Sequence, residues 1–205
     1  MEIVLAIKNV NVVEKTHDDV LMRLAKHYPK RYTQGLSKNR IAEHEAVINC
    51  LYELIGNEDW WIEHEESGEP VLFIGGVRGN MSISISHAID QVNDSKSVAH
   101  AAVILREGST QESSRIGVDL VIKGDPRLER IADRVMRKEE MEGGRLEEVW
   151  ACKEAMFKAF GPGLDFVKDL KVDFLSNDLL KGLGRKWEVK RIGNAVVVLG
   201  PVDRL

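Results

Sequence analysis

Apolar and polar positions recur with definite periods along most of this chain. The opening stretch Glu2-Ile-Val-Leu-Ala-Ile-Lys-Asn-Val-Asn-Val-Val13 has the apolar density of a strand. From Asp18 to Tyr28, Val20, Leu21, Leu24 and Ala25 fall on one helical face. A loop with Pro29 and Gly35 follows, and Ser37 is placed to cap a helix over 38–55 that stops at Gly56. In that helix Ile41, Val47, Ile48, Leu51, Leu54 and Ile55 recur at helical spacing. Two strand-like runs then flank the turn Glu66-Ser-Gly-Glu-Pro70, a hairpin. In Met81-Ser-Ile-Ser-Ile-Ser86, apolar and serine positions alternate with the period of a half-buried strand. A further strand covers Ala99–Glu107.

The polar stretch Gly108–Ser114 reads as a linker. Beyond it, Ile116–Ile122 is an apolar strand interrupted by Asp119. Residues 125–140 have the pattern of one amphipathic helix, with Leu128, Ile131, Ala132, Val135 and Met136 on its stripe. A helix over Leu146–Phe160 follows, then a hairpin across the turn Gly193-Asn194. Each half has a helix ended by glycine and, downstream, a hairpin whose first strand carries tryptophan: Trp60 and Trp61, then Trp187. The expected fold is therefore α+β. It consists of two similar lobes, a pseudo-repeat, over residues 1–110 and 115–205, with the active site in a cleft between them.

Composition adds few constraints. The 205 residues are 43% apolar and 30% charged, enough for a core without disulfide or metal staples. A net charge of −4 argues against a general nucleic-acid binder. Cys50 and Cys152 lack metal-ligand spacing and read as buried free thiols of a reducing compartment. The start is short and charged, unlike a secretory signal, and no apolar run reaches membrane-spanning length. A cytoplasmic protein is expected.

The candidate chemistry lies mainly in the second half. A carboxylate in the apolar run around Asp119 is costly to bury without a partner. It is either a structural strand-end group or a metal ligand. On the helix over 146–160, Trp150, Glu154 and Lys158 are spaced i, i+4, i+8 and share a face, with Lys153 beside them. An isolated Glu–Lys pair would be solvated surface, but a large aromatic on the same face suits the wall of a groove. Val149, Cys152, Met156, Ala159 and Phe160 form a separate apolar stripe. In the first half, Ser86-His87 at a strand end suits contact with a phosphate. Two separated carboxylates suit one Mg²⁺, which shares its oxygen shell with substrate phosphates, and nearby lysines suit a breaking diphosphate. The reaction class these residues suggest is metal-assisted phosphoryl transfer.

Ile116-Gly-Val-Asp-Leu120 and Trp150-Ala-Cys-Lys-Glu-Ala-Met-Phe-Lys158, about thirty residues apart, resemble the paired motifs of the 4′-phosphopantetheinyl transferases. Ile85-Ser-His-Ala88 and Gly68-Glu-Pro70 resemble upstream motifs of the two-lobed, surfactin-synthetase-activating type. The resemblance spans roughly Ser37 to Gly163. It implies transfer of 4′-phosphopantetheine from coenzyme A to a serine of an apo acyl carrier or peptidyl carrier protein, releasing adenosine 3′,5′-bisphosphate. It implies that Asp119 and Glu154 ligate Mg²⁺, that the serine is deprotonated either by Glu154 directly or through a metal-bound water, and that Lys158 stabilises or protonates the departing phosphate. Lys153 would help hold the diphosphate. Ser86, His87 and Arg40 would contact the 3′-phosphate of coenzyme A. Val121, Ala88 and Glu69 depart from the pattern, standing where glutamate, serine and lysine are common. The basic segment Arg23–Arg40 and the arginines of 127–137 are candidate contacts for an acidic carrier. Two lobes in one chain would let a monomer form the site. Two other readings stay open: a non-catalytic coenzyme A or carrier-binding module, and an unrelated α+β interaction protein whose Asp119 and Glu154 are structural.

Overall fold

The computed structural model describes residues 3–15, 17–29, 35–56, 59–107 and 115–202. The chain forms two compact units, Ile3–Ser114 and Arg115–Leu205. The expected linker Gly108–Ser114 lies outside the described residues.

The first unit contains β1 (Val4–Asn11), α1 (Asp18–His27), α2 (Lys38–Ile55), β2 (Trp60–His64), β3 (Pro70–Ile74), β4 (Val77–Arg78), β5 (Met81–Asn93) and β6 (Lys96–Glu107). The Ser37 hydroxyl accepts a hydrogen bond from the Arg40 N–H, and Gly56 ends α2 at φ +82°. The antiparallel sheet has the order β1-β6-β5, and β2-β3-β4 form a second three-stranded sheet. α2 lies on the first of these. It buries Ala46, Val47, Ile48, Cys50 and Leu51 in a core with Ala6, Ile83, Ala101 and Val103. α1 is fastened by the buried His27, whose ring nitrogens are 2.8 Å from the Trp60 carbonyl and 2.8 Å from the Tyr52 hydroxyl. The ring also stacks on Trp60.

The second unit contains β7 (Gly117–Ile122), α3 (Pro126–Val135), α4 (Lys138–Glu142), α5 (Leu146–Phe160), β8 (Asp173–Phe174), β9 (Leu179–Gly182), β10 (Arg185–Ile192) and β11 (Ala195–Gly200). Its antiparallel sheet runs β7-β11-β10-β9-β8. α5 packs on β7 and β11 with Val149, Ala151, Cys152, Ala155 and Met156 fully buried. Gly117 makes this approach close: a Cβ there would lie 1.8 Å from the Ala155 carbonyl oxygen. Both cysteines are buried free thiols, and burial pushes the Cys50 thiol up to about 12.

One expected element is divided. The single helix over 125–140 breaks after Val135 into α3 and α4, because Met136 is extended (ψ 152°) and Glu140 accepts from the Arg137 backbone N–H to start a new turn. The short strands β4, β8 and β9 were not foreseen. The two units share some features. In each the first strand pairs with the last and the last with the penultimate. In each, the helix packed on the sheet ends at a positive-φ glycine, Gly56 or Gly161, whose N–H bonds back four residues. They differ in that the remaining strands continue one sheet in the second unit and form a separate sheet in the first.

Candidate active site

The close approach of β7 to α5 sets the main group. Asp119 alternates with Gly117 and Val121 on the face turned to α5. Its side chain is nearly buried, and its Oδ1 accepts a hydrogen bond of 2.7 Å from the Lys158 ammonium. Lys158 also donates to the Val118 carbonyl at 3.0 Å. One turn earlier on α5, Glu154 is half-buried. Burial pushes its carboxyl up from the ordinary glutamate value, the Asp119 charge adds to that, and Lys158 acts against both. The structure thus brings Asp119, Glu154 and Lys158 within electrostatic reach of one another.

A half-buried carboxylate whose ionisation a neighbouring carboxylate opposes is an arrangement a further cation relieves. The oxygen donors of Asp119 and Glu154 suit a small hard divalent ion that takes its other ligands from phosphates and water. Among the described residues, no group of three or more His, Cys, Asp or Glu is gathered to hold a metal. Val121, two residues beyond Asp119 on the same face, belongs to the apolar core. A metal here would therefore rest on two side chains.

Lys153 lies elsewhere. Its side chain is fully buried, and its ammonium donates to the carbonyls of Phe166 and Leu170, each at 2.6 Å, and pairs with Glu140 at 3.0 Å. Burial lowers its proton affinity, and the neighbouring Glu140 acts against that. The expected contact with a diphosphate does not fit an ammonium enclosed in this way, so Lys153 belongs to the fold. It ties α4 and the segment after α5 to the helix that carries Glu154. Its partner Glu140 also accepts from the Val172 N–H at 2.8 Å. Nothing in the sequence distinguishes Glu140 from its acidic neighbours, since its importance arises only from the tertiary placement of Lys153. Trp150, expected on a groove, is half-buried and stacks on Phe166 at 5.7 Å, and Phe166 meets Phe157 at 5.6 Å. The aromatic on the polar face is thus explained by the loop that packs on it.

The first unit carries a second group. Arg40, in the first turn of α2, places Nη1 3.2 Å from His87 Nε2 on β5. Glu43, one turn along α2, lies 3.1 Å from Arg40 Nη1 and 3.2 Å from His87 Nδ1, an ion-pair contact rather than an aligned hydrogen bond. Burial would raise the Glu43 carboxyl, but His87, Arg40 and His44 together hold it below the usual range. His44 stacks on Tyr28 and meets the His87 ring edge-on. The structure thus joins Arg40 to His87. Ser86 is buried, and as the next strand residue it points to the opposite face of the sheet from His87. Its side chain is not part of this group. Glu43 and His44 were missed, although the spacing Arg40-x-x-Glu43-His44 at a helix start places them beside Arg40.

Residues 115–185 match the family model of the 4′-phosphopantetheinyl transferase superfamily. The matched segment contains β7 with Asp119 and all of α5 with Glu154 and Lys158. Comparison with curated proteins and with solved structures gives no match.

Proposed function

We propose that this chain is a Mg²⁺-dependent 4′-phosphopantetheinyl transferase that converts apo acyl or peptidyl carrier proteins to their holo forms at the expense of coenzyme A. The observation that carries this reading is the grouping of Asp119, Glu154 and Lys158 by the β7–α5 packing, within the segment that matches the superfamily. In the reaction, the carrier serine oxygen attacks the β-phosphorus of coenzyme A. A new O–P bond forms, the bond from that phosphorus to the bridging oxygen breaks, and adenosine 3′,5′-bisphosphate leaves. Glu154 takes the serine proton, a role suited to a half-buried carboxylate grouped with Asp119 and Lys158. Lys158 stands beside Asp119 to meet the negative charge on the departing phosphate. Asp119 and Glu154 would hold Mg²⁺, which when bound neutralises diphosphate charge. In the first unit, Arg40 and His87 are assigned to the 3′-phosphate of coenzyme A. Their contact with each other supports the assignment. The shared strand order and glycine-ended helices support the two-lobed reading. The proposal includes a monomer acting in the cytoplasm. No helix among the described residues is long and apolar enough to cross a membrane.

Chromatography of the nucleotide product tests this. With coenzyme A, an apo carrier and Mg²⁺, adenosine 3′,5′-bisphosphate should accumulate. EDTA should stop its release and added Mg²⁺ should restore it. Retention of coenzyme A on the protein without bisphosphate release from any carrier would instead support a binding module. The apolar burial of Val121, where an acidic ligand is common in the family, is the feature that favours this second reading.

A further inference from the structure

The Arg40–His87 group already holds an anion. Glu43 contacts both side chains and has only 15% of its side chain exposed, against 46% for Arg40 and 28% for His87. Its carboxylate therefore sits on the protein side of two groups that otherwise suit a phosphate. Arg40 and Glu43 cancel as formal charges, and His87 and His44 add charge only when protonated. Among the described residues, Lys38 pairs with Glu14, and Arg23 pairs with Glu45. Among the described residues, a phosphate dianion arriving at Arg40 and His87 meets a group that Glu43 balances. It must share Arg40 with a carboxylate that stays in place.

We infer that Glu43 is a specificity-determining residue that offsets Arg40, so that this chain reads the 3′-phosphate of its nucleotide donor weakly and tolerates donors without it. The inference rests on the assignment of Arg40 and His87 to that phosphate. Specificity is a difference between two affinities, and a fixed like charge beside the site reduces that difference while leaving contacts to the rest of the nucleotide intact. The expected donor class is thus an adenine nucleotide diphosphate ester with or without a 3′-phosphate.

Calorimetric titration of the full chain with adenosine 3′,5′-bisphosphate and with 5′-AMP tests this. The wild-type protein should bind the two within about threefold of each other. Glu43→Gln keeps the shape and removes the charge, and should tighten the bisphosphate about tenfold while leaving 5′-AMP unchanged, the scale of one partly screened unit charge beside a dianion. Glu43→Ala should move in the same direction, and thermal melts show that each variant is folded. Adding Arg40→Gln to Glu43→Gln should cancel the gain. A folded Glu43→Gln protein that binds the bisphosphate no better than wild type overturns the inference. If in that case Arg40→Gln still weakens the bisphosphate more than 5′-AMP, the 3′-phosphate is read here and only the role of Glu43 fails. If no substitution in the group distinguishes the two nucleotides, the assignment of the group to the donor fails as well.

Discussion

Single residues in the second unit separate chemistry from structure. Glu154→Gln keeps the size of the side chain and removes its ability to accept a proton. Turnover should fall by about 10²–10⁴-fold, the usual range for a lost general base, with the unfolding midpoint in denaturant retained. Equal turnover in the variant would remove Glu154 from the mechanism. Lys153 should behave in the opposite way. Lys153→Met leaves the buried Glu140 with its Arg137 ion pair but strips Glu140 and the Phe166 and Leu170 carbonyls of a buried donor, which should cost about 1–3 kcal/mol of stability in equilibrium denaturation. Glu140→Gln added to Lys153→Met should recover part of that loss. A stable Lys153→Met protein with impaired coenzyme A binding would return Lys153 to the diphosphate role that the motif implied. The sequence made both residues visible as neighbours in one motif. It did not show that the helix turns one toward Asp119 and the other into the core, because that depends on where Glu140 and the Phe166 and Leu170 carbonyls fall.

The elements explain why the motif has the residues it has. Gly117 precedes Asp119 by two positions because β7 comes close enough to α5 to exclude any Cβ. Gly117→Ala should force the strand and helix apart, at about 1–3 kcal/mol of stability. Turnover should drop with it, since Asp119 moves relative to Glu154 and Lys158. Unchanged stability would show that the strand can shift at no cost. In the first unit, α1 depends on a buried histidine. Burial pulls the His27 proton affinity below the ordinary value, so the folded state binds fewer protons than the unfolded chain as pH falls below about 6.5. Stability is therefore expected to decline from pH 7 toward pH 5. His100, also lowered by burial, contributes in the same direction. Thermal melts across that range should show a shallower decline in His27→Gln, and an unchanged slope would contradict the assignment. Most helices and strands were legible from periodicity. The division at Met136 was not, because the apolar stripe continues through it and only the capping contact of Glu140 with Arg137 ends the helix. The short strands β4, β8 and β9 have too few residues to display a period.

At the scale of the whole molecule, the sequence expectation of an α+β fold agrees with the structure, and each half is a compact unit. The order of elements suggested two similar halves. The first–last–penultimate strand pairing recurs in both, which hydrophobic patterning could not reveal because register is set by long-range partners. The chemistry was legible where it lay in one helix and one strand, and less so in the first unit, where Glu43 joins Arg40 and His87 only through the packing of α2 on the sheet. Asp119, Glu154 and Lys158 are proposed to form a phosphopantetheine-transfer centre. Intact-mass spectrometry of a panel of apo carrier proteins, incubated with the chain, coenzyme A and Mg²⁺, tests it most directly. At least one carrier should gain the mass of one phosphopantetheine, and Asp119→Asn and Glu154→Gln should abolish that gain. No gain on any carrier from a folded protein that binds coenzyme A, or a gain that persists in both variants, would contradict it.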